Sequence, residues 1–386
     1  QYATDQPIPT DPTTKTQKIK KEVFEMERVK YNPSEFVGEY TEDRFGKAPV
    51  FHPPVTPKAN YEAMFEGKNP LWMPMTTDCK GIDPRVDPDN IARAFVFDGE
   101  GAYDASLYGG KDMFGIEWVF VPVAGGSMVK PGAPLMADAN DWKDLIKFPD
   151  LDSWDWEGCL KGNTEWMETN KDYVENITFL NGTGYERLIS FMDFEGAAMS
   201  LIDEDQQDAV KELFDTICEK VYFPYLEKVK KYLPGVTKIT LHDDWGSQRA
   251  PFFSLATARE MLVPVCKKFT DKCKEMGYIV ELHSCGKNDL LVPAYIEAGF
   301  QTWNGMYMND KRNLFEQYGD KFIFGVDPPA IADDPNASKE DLWAAAKEFC
   351  EFYIRDGKCH VVANCMRKNP DFIQAVYEIS RQMLNP

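Results

Sequence analysis

From about residue 177 onward the chain alternates short apolar runs with longer amphipathic stretches, and this alternation constrains the fold more than any other feature. The runs at 177–180, 238–241, 278–282, 302–305, 322–326 and 360–363 have the length and composition of strands. Between and after them the spacing predicts helices near 186–203, 205–232, 257–276, 290–298, 311–318, 339–356 and 370–383. Strands alternating with helices of this length make βα units and a parallel sheet. Several strand ends carry polar or reactive residues: His242-Asp243-Asp244, His283-Ser284-Cys285, Asn304, Asp327 and Asn364-Cys365. In a (β/α)8 barrel that is the face on which active sites form. A doubly wound sheet would carry a G-x-G-x-x-G loop after its first strand, and none stands there. The expected fold class is α/β, a (β/α)8 TIM barrel.

Upstream, Leu71-Trp72-Met73-Pro74-Met75 reads as the first barrel strand. Thr56 and Pro57 have the chemistry of an N-cap and a first helical residue. Residues 79–135, rich in Gly, Asp and Pro, are expected to form loops and a small antiparallel excursion, with 117–123 as its clearest strand. Residues 142–171 look helical in pieces. Residues 1–54 read as an extension wrapping the domain, with one helix near 18–30, and residues 55–386 as the barrel.

Lys plus Arg number 43 against 63 Asp plus Glu, a formal charge of −20. That excludes nucleic acid, whose phosphates need a basic surface, and disfavours anionic membranes. No apolar run reaches the length of a membrane span, and the polar start lacks the apolar core of a signal peptide. Nine scattered cysteines do not form a disulfide framework. Cys218, Cys266, Cys273 and Cys350 read as buried small hydrophobes. A cytoplasmic protein is expected, and a homodimer is compatible with the chain.

The residues that could carry chemistry centre on His283 and Cys285. One residue apart on a strand end, they point to the same side. With Cys365, at another strand end, they are candidate zinc ligands that would leave a fourth position open. The alternative is a buried His with two unrelated core cysteines. Glu281, Asp244 and Asp243 are candidates for the fourth position. Zinc there would activate a thiol or polarise an oxygen leaving group. Asp243 and Asp244 could position a proton or a ligand, or cap the next segment. His242 and Tyr185 are candidate proton donors; Tyr185-Glu186, after a Gly turn, could line the pocket, or Glu186 could stabilise a helix start. Asp243, Asn304 and Asp327 are candidate cofactor contacts, Asp327 also being a loop organiser before Pro328-Pro329. Trp72, Trp118, Trp245 and Trp303 could wall an aromatic substrate site or simply pack the core.

Four motifs together resemble the uroporphyrinogen decarboxylase superfamily. They are His242-Asp243-Asp244-Trp245-Gly246, His283-Ser284-Cys285-Gly286, Phe324-Gly325-Val326-Asp327-Pro328, and the opening Thr56-Pro57-Lys58-Ala59-Asn60-Tyr61 with Gly67-Lys68-Asn69-Pro70-Leu71-Trp72-Met73-Pro74. The resemblance spans residues 55–385 in order and implies a barrel with its site at the C-terminal strand ends. The decarboxylases of that superfamily carry an Arg-rich motif after the first strand. Here Met73-Pro74-Met75-Thr76-Thr77-Asp78 offers no Arg, so an anionic porphyrinogen would be poorly held. The chain is more similar to the cobalamin-dependent methyltransferases, whose His-x-Cys and distant Cys bind zinc; His283, Cys285 and Cys365 match that pattern. That resemblance implies a zinc methyltransferase working with a separate corrinoid protein. One subgroup moves methyl from a donor such as a methoxylated aromatic to Co(I). The other moves it from the methylcorrinoid to a thiol such as coenzyme M, or to tetrahydrofolate. The N-terminal extension and aromatic strand ends favour the first; a lyase resembling the decarboxylases is the remaining alternative.

Overall fold

The computed structural model describes residues 27–43, 46–123, 125–132 and 134–386. Seven strands form one all-parallel sheet in chain order. They are β1 (Cys79–Gly81), β2 (Val174–Phe179), β3 (Val236–His242), β4 (Ile279–Ser284), β5 (Thr302–Gly305), β6 (Ile323–Val326) and β7 (Val361–Ala363). Helices cover its outside, and the sheet curls until the segment before β1 reaches β7. Met75 bridges Ala363 in parallel, and Ala363 N–H donates to the Pro74 carbonyl at 2.8 Å. The result is a TIM-barrel-like α/β fold.

The stretch expected as the first barrel strand contributes only this bridge. Its donors go elsewhere: Leu71 N–H to Asn60 Oδ1 at 2.7 Å and Met73 N–H to Ser380 Oγ at 3.0 Å. Pro74 has no N–H to offer a ladder. Asp78 Oδ2 then accepts from Met75 N–H at 2.9 Å, closing a tight turn before β1. The expected helix over 205–232 is two helices, Gln207–Ile217 and Phe223–Tyr232, joined by a wider π turn at Cys218–Tyr222. Pro224 sits in the first turn of the second helix, where its missing N–H favours such a break. Thr56 caps Pro57–Phe65 as expected, its side chain accepting from Ala59 N–H at 3.1 Å. Cys218, Cys266, Cys273 and Cys350 are buried.

The interior of a TIM barrel is ordinarily filled by branched apolar side chains. This one is polar. Residues two apart on a strand share a face, and Lys238, Thr240 and His242 of β3 all line the interior with Glu281 and His283 of β4. Lys238 Nζ pairs with Glu281 Oε2 at 2.9 Å, both side chains nearly closed to solvent. Thr240 Oγ1 lies 3.0 Å from Glu281 Oε1 and 2.8 Å from Asn176 Oδ1.

Two additions flank the barrel. The excursion forms a three-stranded antiparallel sheet, Gly110–Lys111, Glu117–Val121 and Gly126–Val129. It is tied to the barrel by Arg187, whose guanidinium is fully buried between Asp89 and Asp112. At the N-terminal side a hairpin, Phe36–Asp43 with Gly46–Phe51, packs on the C-terminal helix Pro370–Leu384. The Phe51 and Tyr377 rings stack at 3.9 Å. The helix expected near 18–30 lies largely outside the described residues, and 27–30 are not helical. No helix among the described residues is long and apolar enough to cross a membrane.

Glu35 anchors this strap. It accepts from Arg381 Nε at 2.9 Å and from Nη2 at 2.8 Å, and both side chains are buried. Glu35→Gln would leave the guanidinium without its counter-charge. A loss of about 3 kcal/mol is expected, the low end for breaking a buried ion pair. Urea unfolding of the variant against the parent protein measures it.

Candidate metal centre and cavity

The parallel ladder sets His242 directly opposite His283, and their ring centroids lie 4.9 Å apart. The loops leaving these two strands then lock together. Cys285 N–H donates to Asp244 Oδ1 at 2.5 Å, and Trp245 N–H to Ser284 Oγ at 3.0 Å. Gly286 makes the approach possible. Its φ is +91°, and a Cβ there would stand 2.2 Å from the Gly246 carbonyl, so a side chain at this position would force the loops apart.

One ligand atom from each of His242, Asp244, His283 and Cys285 lies within 4.8 Å of the other three. Cys285 Sγ is 3.4 Å from His283 Nε2. A nitrogen, oxygen and sulfur set at this spacing suits zinc. The electrostatics prepare the ligands. Burial, then the charge of His242, push the His283 imidazole down to about 3, leaving it neutral. Burial raises the Cys285 thiol, and it raises Asp244 with Glu186 adding to it; a bound cation would reverse both shifts.

His242 is treated differently. Its Nδ1 meets Glu186 Oε2 at 2.7 Å. Burial, the largest single effect, pushes this imidazole down, but the Glu186 charge, hydrogen bonds to Cys285 and Glu186 and the Asp244 charge together outweigh it and raise the group to about 10. Burial would raise Glu186, yet Arg93 and His242 hold it at about 2. Arg93 Nη1 lies 3.1 Å from Glu186 Oε1. Glu186 is thus more than a helix-start residue.

The other sequence candidates separate. Asp243 turns away from the group and caps the helix Tyr185–Ser200: it accepts from Tyr185 N–H at 3.1 Å and Glu186 N–H at 2.8 Å. Asp244, one residue on, faces the opposite way. Glu281 is committed to Lys238. Tyr185 is fully buried, its ring against Phe252 and Phe253. Cys365 does not join the group. Val362 and Asn364 face the barrel interior, so the intervening parity sends Cys365 outward. There it borders a separate small cavity with Trp72, Met75, Asp78 and Tyr377. Trp72, Trp245 and Trp303 are fully buried and pack the core. Glu186 and Arg93 complete the electrostatic frame; the Gly turn before Tyr185-Glu186 was the sequence signal for Glu186, and Arg93 had none.

The group is reached from two sides. A barrel cavity of roughly 290 Å³ is lined by His242, His283, Asn304, Phe95 and Phe97 among others. On the other side a groove is lined by Arg93, Trp118, Glu186, Asp193, Phe194 and Asp244. Asp193 holds φ 59° and ψ 174° inside the helix Tyr185–Ser200, a conformation costly for any residue but Gly. The break lies beside Phe194, which is half exposed at this rim.

The His242–Glu186 pair sets a pH dependence in metal-free protein. The folded His242 value, about 10, lies above its ordinary 6.5. Its contribution is therefore full below pH 6.5 and is lost as pH rises through 10. Glu186, at about 2 against 4.5, contributes fully above pH 4.5 and loses this as pH falls through 2. Melting temperatures are expected to decline from pH 6.5 to 10, and Glu186→Gln to flatten that decline.

No protein-family model matches this sequence, and no curated protein matches it. Among solved structures the chain is similar to a methyltransferase from Methanosarcina mazei, at 15% identity and a TM-score of 0.54, covering 83% of this chain and 97% of that one. Two structures of a group IV chitinase from Ostrinia furnacalis align at 8% and 9% identity with TM-scores of 0.32 and 0.33, covering 62% and 64% of this chain and 87% and 89% of those; these scores are too low to equate the folds. The chain shares the overall fold of the methanogen methyltransferase.

Proposed function

We propose that this protein is a zinc-dependent methyltransferase that moves a methyl group from a small O-methyl donor, aromatic donors included, to the Co(I) corrinoid of a partner protein. The observation that carries the reading is the His242–Asp244–His283–Cys285 group at the C-terminal end of the barrel, where His242 and His283 line the barrel cavity. The motif resemblance to the corrinoid branch of the uroporphyrinogen decarboxylase superfamily and the fold likeness to a methyltransferase support it.

In this reading Asp244, His283 and Cys285 hold zinc, and Asp244 takes the place that the resemblance assigns to Cys365. Bound zinc supplies a Lewis acid next to the departing oxygen. His242 provides the proton for that oxygen. Glu186 orients its ring through Nδ1, leaving Nε2 toward the reacting side, and stabilises the charged form before transfer. Arg93 keeps Glu186 ionised. Phe95 and Phe97 wall the cavity and exclude water from the methyl carbon. The groove on the far side is open to a protein partner. Nine free cysteines support a reducing, cytoplasmic setting.

Metal analysis and spectroscopy test this. The purified protein is expected to carry about one zinc per chain, with His283→Ala and Cys285→Ala losing it. His242→Gln is expected to retain zinc while methyl transfer slows about 100-fold or more. The transfer is followed as loss of the Co(I) spectrum with a panel of O-methyl compounds. Wild-type protein without zinc, or zinc loss in His242→Gln, would overturn the assignment. A response only to methylcobalamin plus a thiol would reverse the direction of transfer.

A further inference from the structure

The barrel cavity carries a buried ion pair away from the metal group. Lys238 of β3 and Glu281 of β4 both line it, with Lys238 Nζ 2.9 Å from Glu281 Oε2. Lys238 lies four residues before His242 on the same strand, about 13 Å away along its length. The pair therefore forms the base of the cavity, and the metal group its mouth. Glu281 Oε1 is engaged as well, 3.0 Å from the Thr240 hydroxyl. Among the described residues, the other cations at this cavity also have carboxylate partners. His242 has Glu186 at 2.7 Å. Lys311 adjoins the wall through Asp327, whose Oδ2 lies 2.8 Å from Lys311 Nζ and whose Oδ1 accepts from Asn364 Nδ2 at 2.8 Å. Asp83 adds a further carboxylate to the lining. Asn176 and Asn304, by contrast, are neutral amides that stay partly exposed inside the barrel.

A ligand in this cavity thus meets neutral hydrogen-bonding groups, apolar walls and charges that are already paired. A carboxylate entering it would lose its water without gaining a free cation, and would stand beside Glu281 and Asp83. We propose that Glu281 is the charge-selectivity residue of the cavity: it neutralises Lys238 and so keeps anionic ligands out. This rests on the reading of the cavity as the methyl donor's site and names the class of that donor. It is a small molecule, about one ring in size given a cavity of roughly 290 Å³, with a neutral hydrogen-bonding group rather than a carboxylate. Without the charge of Glu281, the Lys238 ammonium would stand unpaired on the cavity wall, and a ligand carboxylate would be the partner that satisfies it.

Binding calorimetry on the intact protein near neutral pH tests this with benzamide against benzoate, two rings of the same shape that differ in charge. No methyl group moves in this assay and no corrinoid is needed, so its result is independent of whether the protein transfers methyl groups. The parent protein is expected to bind benzamide about 10-fold or more tightly than benzoate, because burying an unpaired carboxylate is costly. Glu281→Gln keeps the shape of the side chain and removes its charge. That variant is expected to bind benzoate about 10-fold or more tightly than the parent does. Adding Lys238→Met to it is expected to abolish the gain, with both variants still melting cooperatively. If Glu281→Gln does not fold, the parent's own preference decides. A parent protein that binds no benzamide or binds benzoate equally well, a folded Glu281→Gln without the gain, or a gain that survives Lys238→Met would overturn the proposal.

Discussion

The in-register parallel pairing of β3 with β4 is the constraint on which the rest of the site depends. It sets Leu241 beside Leu282 and His242 beside His283. A slip of one residue would turn one imidazole out into the helix layer. The polar interior holds the register from below: Thr240 and Glu281 are paired across the ladder and joined through their side chains, and Lys238 neutralises Glu281. A ladder stabilised by buried polar contacts on its inner face and by apolar packing on its outer face has one acceptable alignment. The candidate metal group sits at the end of that alignment.

Buried charge links the additions to this group. Arg187 binds the excursion through Asp89 and Asp112. The excursion in turn carries Arg93, which reaches Glu186, and Glu186 reaches His242. Each pair is desolvated, so removing either partner leaves an uncompensated charge. This makes the excursion a fixed wall of the groove and ties the state of His242 to residues about 150 positions upstream. The neighbouring aspartates show how local geometry divides labour. Asp243 serves a helix start and Asp244 joins His242, His283 and Cys285, because successive side chains of an extended segment face opposite ways.

Much of the fold was legible because its signal is periodic. The alternation of apolar runs and amphipathic stretches located the six strands β2 to β7 within a few residues and nearly all the helices between them. The misread segments had competing chemistry. Leu71–Met75 is apolar like a strand, but Asn60, Ser380 and Pro74 deny it a ladder. The break at Pro224 splits what looked like one long helix. The N-terminal hairpin was missed because its strands mix Gly, Pro and charged residues with apolar ones and find their apolar partner, Tyr377, only at the other end of the chain.

The sequence by itself determined that strand ends would carry His242, Asp244, His283, Asn304 and Asp327, since that follows from where apolar runs stop. It also determined that His283 and Cys285 would face the same side, because a strand has a period of two. Which of these residues meet was decided by tertiary structure alone. Asp244 joined His283 and Cys285 where Cys365 had been expected, because the loop after β7 places Asn364 on the inner face and Cys365 on the outer. Glu186, Arg93, Asn364 and Lys311 acquired their surroundings through contacts between segments far apart in the chain, and no local pattern encodes such a distance.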